Sequence, residues 1–203
     1  MRTTSQGGPI SQTPLARQLA GPKGRPEPLT AFKVARRWFQ AGRRIEMQDL
    51  ATEVGVSRAT LFRWVGGRDE LLTEVLWSLA EPTLRDAVHA APGKGGAKLA
   101  SALESFSETL LSTEYFGVFL RREPERALRV LTTRAGSLQG RMTAAMQELL
   151  DQHLDPAKLP MEAPDLAYLL VRVVETFLYT DIITGEQANP AKVGQAVAAL
   201  LRD

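Results

Sequence analysis

Two arginines five residues apart, Arg58 and Arg63, occupy a segment of small and polar residues that reads SRATLFRWV over 57–65. A guanidinium fork matches the O6 and N7 acceptors of guanine in the DNA major groove. Between the arginines, the Thr60 hydroxyl is suited to donating to a phosphate, and the Phe62 ring is suited to contacting a thymine methyl group. The residue types in this segment therefore favour recognition of double-stranded DNA.

Two short helices joined by a tight turn are needed to present that segment. Ser57 is a good N-cap, because its hydroxyl can accept from the free N–H groups of the first helical turn. Leu61 and Trp64, three residues apart, give the helix an apolar face that packs inward. Gly55 supplies the backbone freedom for the preceding reversal. The segment over 47–54 predicts the first helix, with an apolar face of Leu50, Ala51 and Val54. The pattern is typical of a helix-turn-helix, whose second helix enters the major groove.

Basic residues on both sides of this unit extend the predicted interface. Arg43 and Arg44 precede the first helix and would contact flanking backbone; simple solvation is the alternative. Arg68 opens the next helix, where backbone N–H groups already suit a phosphate. The predicted DNA contacts are Arg43, Arg44, Ser57, Arg58, Ala59, Thr60, Phe62, Arg63 and Arg68.

Charge is unevenly distributed along the chain. The 203 residues carry a net charge of only +2, but residues 1–68 hold 12 Lys and Arg against 4 Asp and Glu. The remaining 135 residues hold 13 against 19. A basic first third and an acidic remainder indicate that only the first part contacts a polyanion.

Enzyme chemistry is not expected. Cysteine is absent, which excludes disulfides and zinc-thiolate sites. The two histidines, His89 and His153, share no motif spacing, and no phosphate-binding loop, nucleophile elbow or zinc-protease motif appears. We therefore predict no catalytic residue, no metal and no cofactor; turnover of a lactone by the purified protein would revive the enzyme alternative. No apolar run is long enough to span a membrane and no signal peptide is seen, so a cytoplasmic location is expected.

Three regions are predicted in an all-α chain. Residues 1–28 are rich in proline and glycine and predict an extended or disordered basic arm, either lying along DNA or simply solvated. Residues 29–78 predict a three-helix DNA-binding domain, beginning with a helix over 29–41 that Thr30 can cap. Residues 79–203 predict a helical domain for effector binding and dimerisation.

Apolar helices near the C-terminus are candidates for self-association. One predicted helix runs over 164–184 and another over 190–201, and two from each subunit would form a four-helix bundle. Burial in the subunit's own core is the alternative. A symmetric dimer requires a palindromic operator. The candidate dimer residues are Val173, Val174, Val193, Val197 and Leu200.

Aromatic residues concentrate in the C-terminal region and predict a pocket for a small hydrophobic molecule. Most aromatics at helical spacing belong to a core, so packing is the alternative for each. Arg121 and Arg122 would orient a polar head group or remain surface charges. The candidate pocket residues are Phe106, Tyr115, Phe116, Phe119, Tyr168 and Phe177, with Tyr179 beside them.

The chain resembles the tetracycline-repressor (TetR) family of bacterial regulators. The resemblance rests on two runs, AFKVARRWFQAG over 31–42 and MQDLATEVGVSRATLFRWVGGRDELL over 47–72. In the second run, GVSR and TLF mark the recognition helix. Arg68, Asp69 and Leu71 mark the start of the next helix. Phe62 replaces a common tyrosine, so a phosphate contact through its hydroxyl would be missing. The runs FLRREPERALRVLTTRAGSLQGRM, over 119–142, and VRVVETFLYTDIITGE, over 171–186, resemble the QsdR-like regulators of quorum-sensing lactone degradation.

That resemblance implies a repressor released from DNA by an effector, and the subgroup implies an acyl-homoserine lactone, a γ-lactone or a fatty-acyl compound. A protein that coats DNA without sequence preference is the rival from another class. Footprinting separates the two, since one protected palindrome indicates a regulator and continuous protection a coat.

Overall fold

A computed structural model describes residues 26–133 and 136–202, and within them the chain is entirely helical. The predicted arm lies outside the described residues up to position 25. The helices are α1 Pro28–Gln40, α2 Met47–Val54, α3 Arg58–Val65, α4 Arg68–Ala90, α5 Gly95–Ser112, α6 Glu114–Arg122, α7 Pro124–Thr132, α8 Leu138–His153, α9 Ala163–Leu178, α10 Thr180–Thr184 and α11 Pro190–Leu200, with a 3-10 turn at Pro156–Lys158.

Helix α1 supports the helix-turn-helix from behind. Pro28 occupies its first turn and Glu27 is the N-cap residue, so the prediction that Thr30 caps this helix is wrong. Proline suits that position because its missing N–H has no partner there in any case. Trp38 and Phe39 are buried in the core that α1 shares with α2, α3, α4 and α6.

The turn between α2 and α3 has the predicted chemistry. Gly55 ends α2 in the left-handed region, with φ of 78°. Ser57 caps α3, and its Oγ accepts from the backbone N–H of Thr60 at 3.1 Å. Leu50 and Leu61 are fully buried between the helices.

Helix α4 runs without interruption from the DNA-binding unit into the C-terminal bundle. Leu71, Leu72 and Val75 pack into the core that α1–α3 share with α6 and α7. Leu84 and Ala87 belong to a second core with α5, α8, α9 and α11. The predicted domain boundary after residue 78 therefore falls inside a continuous helix.

The C-terminal bundle departs from the predicted helix pattern at one place. The single helix predicted over 164–184 is two helices, because α9 ends at Leu178 and α10 begins at Thr180. Tyr179 lies between them and is buried. No helix within the described ranges is long and apolar enough to cross a membrane.

Candidate nucleic-acid interface and adjoining cavity

The outer face of α3 is a solvent-exposed surface on a firmly packed helix. Arg58, Ala59 and Arg63 are exposed, and the Phe62 side chain is 61% exposed. The opposite face carries Leu61, which is fully buried.

A chain of polar contacts runs along this face. The hydroxyl oxygens of Ser57 and Thr60 lie 2.9 Å apart, and the Arg63 Nη2 donates to Thr60 Oγ1 at 3.4 Å. The Ser57 cap thus also orients Thr60, and Thr60 in turn holds Arg63. This arrangement limits the rotamer freedom that Arg63 would otherwise lose on binding.

Arg43 and Arg44 lie beside the helix-turn-helix with partly engaged side chains. The Arg43 guanidinium stacks 3.5 Å from the centroid of the Trp38 ring, a favourable cation–π geometry. Arg44 Nε lies 2.6 Å from a carboxylate oxygen of Glu46 and 3.7 Å from one of Glu123. Both arginine side chains remain about half exposed.

Arg68 occupies a different environment from the one that the sequence predicts. Its side chain is only 10% exposed, and its two terminal nitrogens each donate to a Glu123 carboxylate oxygen at 2.6 Å. Its Nε donates to the Ile45 carbonyl oxygen at 2.5 Å. Because these hydrogen bonds direct the Arg68 side chain into the protein, the expectation that Arg68 contacts DNA is wrong.

The Arg68–Glu123 pair joins α4 to the junction of α6 and α7. Burial opposes ionisation of Glu123, but the hydrogen bonds from Arg68 and the charges of Arg68, Arg44 and Arg126 outweigh it and lower the pKa of Glu123. Next to this pair, Asp69 accepts from Arg126 and from Arg129, the latter at 2.5 Å. These contacts join residues that are 55 to 60 positions apart in the sequence, so no local sequence pattern predicts them.

A largely apolar cavity of about 140 Å³ lies next to this junction. Its wall draws on α1 and on each helix from α4 to α9, and it includes Phe39 from the DNA-binding unit. Tyr115 packs edge-on against Phe39 with ring centroids 5.6 Å apart. Of the predicted pocket residues, Phe106, Tyr115 and Phe116 lie on this wall, and so does Tyr179.

The other three predicted aromatics lie elsewhere. Phe119 is buried against Phe39 in the shared core, with ring centroids 5.5 Å apart. Tyr168 is 51% exposed and Phe177 is half-buried, and neither belongs to the cavity wall. Helical spacing could not separate the inner from the outer face of α9, which is apolar on most sides. Arg122 donates to the Gly42 carbonyl oxygen at 3.1 Å and, like Arg121, is exposed outside the cavity.

Glu175 is a further residue of the cavity wall that the sequence did not indicate. Its carboxylate accepts from Arg172 Nη1 at 2.5 Å and is 10% exposed. Burial raises the pKa of Glu175 to about 7, against the lowering effect of Arg172. Burial, followed by the Glu175 charge, raises the pKa of the adjacent Tyr179, which therefore stays protonated.

The candidate dimer residues divide into two groups. Val174, Val193 and Val197 are buried in the chain's own core, so they are not available to a partner subunit. Val173 and Leu200 are partly exposed at the edge of that core. For Val174, Val193 and Val197, the alternative from the sequence, burial in the subunit's own core, therefore applies.

Comparison with known proteins decides the family. The family model described as tetracyclin repressor-like, C-terminal domain, matches residues 94–202, which is more than half of the chain. The chain belongs to the TetR family. Its helix-turn-helix and all-α C-terminal region are the architecture that the sequence predicts, and relatives in this family act as DNA-binding transcriptional repressors.

Two solved structures of TetR-family repressors resemble this one. QsdR from R. erythropolis superposes with a TM-score of 0.79 at 29% identity, over 86% of this chain and 93% of that chain. AlkX from Dietzia sp. strain DQ12-45-1b, implicated in biodegradation of n-alkanes, gives a TM-score of 0.56 at 22% identity, over 87% and 94%, and shows the fold alone. The likeness to QsdR agrees with the subgroup resemblance in the sequence. No curated protein sequence matches the chain.

Proposed function

We propose that this TetR-family chain is a transcriptional repressor that binds a palindromic operator as a dimer and is released by a small hydrophobic effector. The observation that carries the proposal is the exposed face of α3, with Arg58, Phe62 and Arg63 outward and Leu61 fully buried behind them. The major groove admits an α-helix, and side chains on the outer face of that helix can reach the base edges.

The DNA contacts divide by role. Arg58 and Arg63 are proposed to reach base edges, and Phe62 to contact a thymine methyl group. Thr60 and the α3 N-terminus suit a phosphate. Arg43 and Arg44 are proposed to contact the flanking backbone, where their half-exposed guanidinium groups need only turn outward. Ser57 and Ala59 allow close approach of the helix to the groove.

Dimerisation is proposed through the outward face of α9 and the adjoining edge of α11. Val173 and Phe177, four residues apart, lie together on this face and are half-buried, and the exposed Tyr168 lies at its opposite edge. Leu200 continues the surface at the end of α11. Tyr168 and Phe177 are thereby reassigned from the pocket to this interface. An aromatic and aliphatic surface of this kind resembles the centre of a subunit interface.

Effector release is proposed to act through the cavity, because its wall joins both parts of the molecule. Phe39 belongs to α1, which packs on α2 and α3, while Leu76 and Leu79 lie on α4. A ligand that favours a different spacing of these helices would change the positions of the two recognition helices in a dimer. The resemblance to lactone-degradation regulators suggests a lactone or an acyl compound as effector.

Selection from a random DNA library followed by footprinting tests the proposal. A repressor of this kind yields one two-fold symmetric sequence and a single protected region of matching length. Continuous protection without sequence selection would instead establish the coat protein. Turnover of a lactone supplied to the purified protein would establish the enzyme.

A further inference from the structure

The charge of the cavity wall restricts the chemistry of the ligand. Among the described residues that form the wall there is no Lys, Arg or His, and the one carboxylate is that of Glu175. The hydroxyls of Thr83, Thr109 and Thr113 donate to backbone carbonyl oxygens of their own helical region, at 2.8, 2.9 and 2.7 Å. The remaining wall is aliphatic and aromatic, with the hydroxyls of Tyr115 and Tyr179 as its other polar groups.

We infer that the cavity takes compact ligands that donate a hydrogen bond to Glu175 and carry no negative charge, and that it rejects carboxylates and phosphates. This inference deepens the proposed function and rests on it for the regulatory role of the cavity. A cavity of about 140 Å³ is comparable to engineered apolar cavities of roughly 150 Å³ that hold a benzene ring.

An anion in this cavity would lose its hydration without gaining a counter-charge. It would also lie beside the Glu175 carboxylate, and two neighbouring carboxylates disfavour joint ionisation. The nearest cation on that side, Arg172, already pairs with Glu175 at 2.5 Å, and its side chain is 42% exposed, outside the wall. A ligand N–H or O–H group, by contrast, can donate to the Glu175 carboxylate, whose negative charge Arg172 offsets only in part.

The inference separates the effector classes that the family resemblance suggests. An acyl-homoserine lactone with a short acyl chain carries an amide N–H and no charge, so it fits the stated chemistry. A free fatty acid, or the hydroxy acid formed when a lactone ring opens, brings a carboxylate and does not. The cavity would therefore distinguish an intact ester from its hydrolysis product.

Binding of isosteric amide and carboxylate probes tests the inference. We would titrate benzamide against benzoate, and hexanamide against hexanoate, at pH 8 into the full-length protein labelled with ¹³C at its methionine methyl groups. Met142 and Met146 line the cavity, while the 40% exposed Met161 lies outside it and serves as an internal control. The amides should shift Met142 and Met146 and bind at least about tenfold more tightly than the carboxylates.

Variants then identify the source of the selectivity. Glu175→Gln should narrow the amide-to-carboxylate ratio by about tenfold or more, because it removes the charge that repels a carboxylate ligand. The amide-to-carboxylate affinity ratio of the wild type is measured without any variant, so it tests the inference even if a variant fails to fold. Equal or tighter binding of the carboxylates would overturn the inference, as would the absence of any shift at Met142 and Met146 with all four probes.

Operator binding by the same sample without probe tests the proposed function separately. A protein that binds its palindrome but prefers carboxylates retains the proposed function and loses the inference. A protein that binds amides but no DNA sequence loses the proposed function and retains the ligand assignment.

Discussion

At the scale of single residues, polar contacts organise the outer face of α3 in the free protein. Ser57 serves two purposes, since its hydroxyl oxygen accepts from the Thr60 N–H and also contacts the Thr60 hydroxyl. Thr60 then accepts from Arg63. Holding a long basic side chain in one region lowers the entropy lost on binding and sharpens discrimination among bases.

Replacing Arg63 with alanine should weaken operator binding by about 10- to 100-fold, the effect of losing one bidentate base contact. Binding to a random duplex should weaken much less. Fluorescence anisotropy with both duplexes at one salt concentration provides the measurement. Arg85→Ala removes an equal charge from α4, where Arg85 pairs with Glu81 on the surface, and it should leave both affinities unchanged. Equal losses on the two duplexes would make Arg63 a phosphate contact instead.

The buried Glu175 carboxyl makes stability depend on pH in a definite direction. Because its folded-state pKa is raised from 4.5 to about 7, the unfolded chain loses this proton at lower pH than the folded chain does. The contribution of Glu175 to stability therefore falls as the pH rises from 4.5 to 7 and stays constant above that range.

Glu175→Gln does not ionise, so its stability relative to the wild type should rise by about 2–3 kcal/mol between pH 5 and pH 8. Urea unfolding of both proteins at the two pH values gives this difference directly. A gain that is the same at pH 5 and pH 8 would show that the carboxyl titrates normally in the folded state.

At the scale of elements, two features fix the position of the recognition helix. The left-handed Gly55 sets the angle between α2 and α3, and the pair of Arg68 with Glu123 fixes the start of α4 against α6 and α7. The first feature is local and the second joins residues 55 positions apart.

Gly55→Ala should destabilise the protein by about 1–2 kcal/mol, the strain of a left-handed conformation at a residue with a Cβ. The new Cβ meets no atom within 4 Å, so strain alone is measured. Gly140→Ala is the matched control, because that Cβ also meets nothing within 4 Å but lies inside α8. Alanine there should stabilise by about 1 kcal/mol. Thermal unfolding that shows no difference between the two variants would contradict the role assigned to Gly55.

Arg68→Met should cost about 3–5 kcal/mol, because it leaves a buried carboxylate without its main partner. The double variant Arg68→Met with Glu123→Leu should recover most of that loss, since no unpaired charge then remains. A parallel cycle on the exposed pair of Arg85 and Glu81 should give less than about 0.5 kcal/mol. A similarly small loss of stability for Arg68→Met would mean that the pair of Arg68 with Glu123 does not hold α4 to α6 and α7.

The sequence predicts the local unit well and the long-range contacts poorly, for a physical reason. The spacing of Leu50, Val54 and Leu61, with the glycine and serine between them, encodes the turn in one short stretch. Nothing near Arg68 indicates Glu123, because a pair 55 residues apart depends on how the helices meet. For the same reason, the sequence could propose Tyr168 for a pocket but could not tell which side of α9 faces inward.

At the scale of the whole molecule, the DNA-binding unit and the C-terminal bundle are joined along one continuous structure. α4 takes part in both cores, and Phe39 of α1 contributes to the cavity wall. A ligand in the cavity therefore contacts helices that support α3 without reaching α3 itself. This continuity makes the cavity a plausible control point for the spacing of two recognition helices in a dimer.

The central claim is that the outer face of α3 reads a two-fold symmetric DNA sequence. Enrichment of a random duplex library by the wild-type protein and by an Arg58→Ala, Arg63→Ala double variant, followed by sequencing, tests that claim most directly. We predict one palindromic sequence from the wild type, with base preference reduced or lost at symmetric positions in the double variant. Recovery of the same palindrome at full strength by the double variant, or of no preferred sequence by the wild type, would contradict it.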